Sequence, residues 1–145
     1  VSEQAPRAPT RRATRALIAL GGLVPWLIAP ARAVLPDGLS AWLYTAFGAA
    51  CHQRPDRTLT LIAPMPVCSR CAGIYAGVVL AALWVRHRPS ERALGWLLVV
   101  GVVLLGVDVL THELALRPVW HGARIATGAL LSYGVAARFL ERVEA

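Results

Sequence analysis

The chain has 145 residues, of which 57% are apolar and 16% charged, with a mean hydropathy of +0.55 and a formal net charge of +7. This composition departs from that of a soluble domain and makes the bilayer the expected solvent; the length fits one domain, and no internal repeat is visible. All fifteen basic residues are arginines, and they flank apolar runs instead of lining one polar face with interleaved aromatics, so no nucleic-acid partner is expected.

Residues 1–15 form a basic tail carrying Arg7, Arg11, Arg12 and Arg15. The apolar run "RALIALGGLVPWLIAPARAV" (Arg15 to Val34) then predicts a first span over about 16–34. Its basic start and its small-residue end at Ala31-Arg32-Ala33 are also the layout of a secretory signal, so the span is either retained or removed. On both readings the residues after Val34 emerge on the far side of the membrane. The next apolar stretch, about 38–50, is too short to cross; it reads as an interfacial or re-entrant helix, or as one packed over the bundle, that delivers Cys51 at its C-terminal end.

Three further spans are predicted over about 67–85, 93–110 and 118–137, each near the roughly 20 residues that cross about 30 Å of hydrocarbon. The fold class is therefore an all-α integral membrane bundle of four transmembrane helices, three if the first is a removed signal, in a single domain over 16–137 followed by a tail over 138–145. Arginine is densest in the N-terminal tail, in the turn "RHRPSER" (Arg86 to Arg92) and at Arg138 and Arg142. The positive-inside rule then places both termini and that turn in the cytoplasm of an inner-membrane protein, with the cysteine stretch facing outward. The bilayer is the expected partner, with a second copy or another membrane protein left open.

Every cysteine lies in "CHQRPDRTLTLIAPMPVCSRCAG", residues 51–73. With Pro64 and Pro66 read as helix-start residues, the second span begins near Val67 and carries Cys68 and Cys71 in its first turn, on one face. A helix N-terminus and Arg70 both favour thiolate, the form that binds metal and attacks disulfides. Cys51, His52, Cys68 and Cys71 make a candidate Cys3His set for zinc, with His112 or Asp108 as replacements for His52. The same C-x-x-C pair, with a third cysteine to resolve or relay, is the minimum for a thiol–disulfide oxidoreductase. A stapling disulfide, or cysteines that serve only as small apolar fillers, in a structural or partner-binding bundle is the remaining reading. Ala72 stands where a c-type haem site needs histidine.

Polar residues recur further along. Asp108, Thr111 and His112 share a face of the third span, and His121 and Arg124 share a face of the fourth. An Asp108–Arg124 ion pair is expected there, either lining a polar pocket near the cysteines or simply locking two helices. Gly73 and Gly77 form a G-x-x-x-G packing motif. No soluble-type catalytic motif appears, so enzymatic activity stays undecided.

With "CHQRPDR" (Cys51 to Arg57) and "CSRCAGIY" (Cys68 to Tyr75), the chain resembles a family of small prokaryotic membrane proteins of unknown function. Its signature is C-H-Q-x-P-x-R followed by C-x-R-C-x-G-x-Y. The resemblance marks Gln53, Pro55, Arg57, Arg70, Gly73 and Tyr75 as motif residues beside the cysteines. A later element is matched through Asp108, Thr111, Arg124 and Gly128, with Val109 and His112 departing from it. The resemblance implies a membrane protein and no particular activity.

Overall fold

The computed structural model describes residues 11–84, 89–116 and 118–144. They form α1 (Arg11–Ala31), α2 (Asp37–Gly48), a 3-10 turn (Pro55–Arg57), β1 (Thr58–Thr60), β2 (Pro64–Cys68), α3 (Ser69–Trp84), α4 (Glu91–Glu113) and α5 (His121–Glu144). Most of the expected basic tail including Arg7, the end of the second span at Val85, Arg86 and Arg88 of the arginine-rich turn, Arg117 and Ala145 lie outside the described residues.

Local chemistry explains where the helices stop and start. Ser90 caps α4, its Oγ accepting from the Ala93 N–H at 3.2 Å, and Glu91 follows in the positively polarised first turn. At the other end Ala115 adopts φ 53°, while its N–H reaches His112 O and that of Leu116 reaches Thr111 O, both at 3.0 Å. That is a Schellman closure with alanine in the place glycine usually takes.

Two helices, α1 with 21 residues and α4 with 23, are long and apolar enough to cross a membrane. Leu17, Leu20 and Leu27 on α1 and Val102, Val103 and Leu110 on α4 are all exposed, presenting apolar faces of a kind that water-facing surfaces rarely carry. The shorter apolar helix α3 has 16 residues, which at 1.5 Å per residue is about 24 Å.

α3 and α5 form the central pair, with α1 packed on α3 and α4 on α5. The pair is close because small residues face backbone. A Cβ on Gly73 would collide with Ile125 O, one on Gly77 with Ala129 O and Ser132 Oγ, and one on Gly128 with Arg70 O. Two core clusters result. One joins Ala29, Cys51, Met65, Val67 and Ala72; the other joins Ala81, Leu94, Ala137 and Leu140.

Three local expectations change. Residues 64–68 form a strand, antiparallel to β1 with Thr58 opposite Cys68 and Thr60 opposite Pro64, so the helix starts at Ser69 and Cys68 precedes it. The cause is the prolines: Pro66 steers Met65 away from helical ψ, and both prolines suit a short strand at a sheet edge. The short helix occupies Asp37–Gly48, and α5 continues past residue 137 to Glu144. Its last turn carries a buried carboxylate, which Arg15 of α1 grips through Nε at 2.6 Å and Nη2 at 2.5 Å.

Candidate metal centre

Three separate pieces of chain deliver the three cysteines. Cys51 follows α2, its N–H bonded to Phe47 O at 2.9 Å; Cys68 ends β2; Cys71 sits in the first turn of α3. Their sulfurs all lie within 4.8 Å of one another, and all three are free thiols. The edge of a tetrahedral zinc–thiolate site is about 3.8 Å, given Zn–S near 2.3 Å, so small side-chain movements suffice to close these sulfurs on an ion.

Residues around the cysteines hold this arrangement. Gln53 adopts φ 46°, and its Nε2 donates to Tyr44 O at 2.6 Å and to Pro66 O at 2.7 Å, tying α2 to β2 across the loop. A non-glycine residue held at positive φ is strained, and these two bonds hold it there. Tyr44 Oη donates to Pro64 O, a second tie between the same elements. Pro55 opens the 3-10 turn that positions Arg57 to pair with Asp56 at 3.4 Å and with Glu113, at the end of α4, at 3.2 Å. Tyr75 packs edge-on against Phe47, with ring centroids 6.0 Å apart.

The Cys68 thiol is pushed down from its ordinary value to about 5. The Cys71 thiol, donating to it, is the largest cause; the Cys71 amide, the Cys51 thiol and the Arg70 amide add to the effect, while burial opposes it. The two amides belong to the first turn of α3, whose free N–H groups favour the anion. Cys68 in turn donates its own N–H to Cys51 Sγ at 3.2 Å.

The expected outward-facing cluster is overturned by burial. Cys51 is 5% exposed and Cys68 and Cys71 are half-buried, so the sulfurs turn into the protein. Met65 and Val67 of β2 pack with Cys51 in one apolar cluster. His52 is exposed and stands outside the three-sulfur group, although it lines the same cavity as the three cysteines. His112 and Asp108 are also outside it.

Asp108 is buried and accepts a hydrogen bond from Arg70; Arg124 Nε lies 3.8 Å from the same oxygen. The expected Asp108–Arg124 pair is therefore a looser member of a group centred on Asp108 and Arg70. Sequence reasoning missed this role for Arg70, because nothing in the spacing of residues 70 and 108 signals that α3 and α4 exchange a bond there. Thr111 Oγ1 donates back to Val107 O at 2.7 Å. His112 and His121 are partly buried, and the Nδ1 of each has no hydrogen-bond partner among the described residues.

Comparison with known proteins agrees with a membrane setting. Residues 51–138 match the family described as "Predicted membrane protein (DUF2085)". An uncharacterised protein of Methanocaldococcus jannaschii is 28% identical over 102 residues, covering 67% of this chain and 65% of that protein. The chain thus spans just under two thirds of that relative's length. An uncharacterised protein of Methanothermobacter thermautotrophicus is 32% identical over 92 residues, covering 59% of this chain and 80% of that protein. No solved structure matches the chain. The family match takes in more than half of the chain and includes all three cysteines, and the chain belongs to this family of predicted membrane proteins.

Proposed function

We propose that this chain is a multi-span membrane protein whose cysteine cluster binds a metal ion, zinc fitting best, in a structural or binding role. The observation that carries the reading is the meeting of three sulfurs from three separate segments within 4.8 Å. Cys51, Cys68 and Cys71 would hold the ion, and thiolates are the ligands borderline-soft zinc favours. A tetrahedral ion leaves one position for a ligand from outside this trio. The C-H-Q-x-P-x-R and C-x-R-C-x-G-x-Y signature then reads as the frame of the site, with Gln53 and Arg57 fixing the loop and Gly73 letting α3 approach α5.

Four spans suit the apolar surface best: α1, α3, α4 and α5, within one transmembrane domain over about 16–137. α3, with 16 residues, is the shortest of the four. Trp42, Trp84, Trp96 and Trp120 are all about two-thirds exposed; Trp84 and Trp120 lie at helix ends, Trp96 in the second turn of α4 and Trp42 on the short helix α2, as suits interfacial anchors.

Elemental analysis of the purified full chain tests the metal. About one zinc per chain, lost with chelator and restored by anaerobic loading, is expected. Less than about 0.1 metal per chain before and after loading would reject the reading.

The low Cys68 value favours a second reading, thiol–disulfide exchange with a disulfide of another protein. The Cys68 thiolate would attack one sulfur of that disulfide, and Cys71 would resolve the mixed disulfide, leaving a Cys68–Cys71 disulfide and a reduced partner. Thiol labelling in cells with and without reductant separates the two: a cycling pair favours exchange, and metal-protected thiols favour the ion.

A further inference from the structure

A cavity of about 380 Å³ opens against the cysteine cluster, within the roughly 300–1,000 Å³ typical of small-molecule sites. Arg54, Arg57, Arg70 and Arg124 line it together with the cysteines, and among the described residues no carboxylate does. The side chain of Arg124 is only 3% exposed. Its Nη1 and Nε, and the Nε of Arg70, have no hydrogen-bond partner among the described residues.

Donors and acceptors do not balance here. Arg70 and Arg124 together present about ten N–H donors, and the one carboxylate between them, Asp108, offers about four lone-pair sites. Burying a guanidinium with donors unmet is costly, so the arrangement is stable when an acceptor-rich group enters the cavity. A single carboxylate would saturate on one arginine fork. Convergent forks suit a tetrahedral oxyanion with several free oxygens.

We infer that this cavity is an anion site in which Arg124 and Arg70, with Arg57 at the rim, hold a phosphate group, either as the free ion or as the headgroup of an anionic lipid. The inference goes beyond the metal reading, since its donors belong to arginines that bind no cation.

The test uses the purified full chain, with metal content measured on the same sample so that loss of metal is seen separately. Inorganic phosphate is titrated against chloride at equal ionic strength, with thermal unfolding as the readout. In parallel, phosphatidylcholine nanodiscs with and without phosphatidic acid are examined by native mass spectrometry. Saturable stabilisation by phosphate assigns the free ion; retained phosphatidate assigns the headgroup.

In either arm Arg124→Gln should weaken binding about 10-fold or more, and Arg54→Gln, on the exposed lip, less than about 3-fold. If Arg124→Gln does not accumulate, Arg57→Gln with an expected loss of about 3-fold or more takes its place. The inference is overturned if neither probe binds, or if both binding curves survive these substitutions unchanged. It is equally overturned if Arg124→Gln alters only the reactivity of Cys68, which would make the thiolates, with Asp108, the counter-charge that arginine serves.

Discussion

At one end of the bundle Arg15 grips Glu144 with two bonds of 2.6 and 2.5 Å, beside a core of Ala81, Leu94, Ala137 and Leu140. At the other, Arg70 and Arg124 share Asp108 next to three thiols and a cavity lined by four arginines. Both ends bury charge between helices, but they differ in kind: at the first, both oxygens of the carboxylate accept from one guanidinium fork. The second end holds more donors than acceptors and more sulfurs than packing needs. Buried ion pairs alone are thus a poor guide to function; the imbalance around them separates a clasp from a site.

The largest expected effect breaks the comparison at its sulfur side. Cys51→Ser or Cys68→Ser should take bound zinc from about one per chain to below about 0.1, read by elemental analysis, because two remaining thiolates do not hold zinc in a structural site. Glu144→Gln, at the other end, should leave metal content unchanged. Equal metal in all three variants would remove the distinction between the ends.

Next in size is the contrast in stability. Arg15→Met leaves the Glu144 carboxylate buried without its fork and should cost about 3 kcal/mol in denaturant unfolding of the detergent-solubilised chain. Arg124→Gln removes a buried charge whose partners are incomplete, and should cost less than about 1 kcal/mol. The reverse order would mean that the clasp lies at the cysteine end.

Between the two ends runs the α3–α5 seam. Gly73→Ala must push a methyl group into the Ile125 carbonyl, so the helices separate at a cost of about 2 kcal/mol. Gly106→Ala on α4 meets nothing within 4 Å and should fall within about 0.5 kcal/mol of the parent in the same unfolding assay. Since Gly73 lies two residues from Cys71, the first change should also lower zinc affinity, and the second should not.

What the sequence made legible, and what it concealed, follows from the range of the interactions. Apolar run length marked the helices, and α1 and α4 meet the length and composition test by themselves. Gathering of the cysteines into residues 51–73 was enough to suggest a cluster. The β1–β2 hairpin was hidden because Pro64 and Pro66 satisfy both a helix start and an edge strand, and only the pairing of Thr58 with Cys68 decides between them. The fork of Arg15 on Glu144 joins residues 129 apart, and no local pattern announces it. Burial of the sulfurs was misjudged for a related reason: arginine density along the chain speaks to loops, whereas the inward turn of Cys51 depends on apolar side chains of α2 and β2 that pack around it.

The smallest expected change is a near-absence of change, and it probes the sulfur end without altering a residue. In chelator-treated protein an ordinary thiol, with a pKa near 8.5, should alkylate about 75-fold faster at pH 8 than at pH 6, because only the thiolate reacts. Cys68, held at about 5 by the Cys71 thiol and the first amides of α3, is already thiolate across that range, and its rate should change less than about 2-fold. The folded value is depressed from 9.0, so the stability this group contributes is full above pH 9, where the unfolded thiol also ionises, and is lost as the pH falls through about 5. Cys71→Ala removes the principal donor and should restore a steep rise with pH, measured by mass spectrometry of the alkylated peptide. A steep rise in the unaltered protein would mean that the three sulfurs are ordinary thiols filling space, and the two ends of the bundle would then differ only in how many arginines each carboxylate must serve.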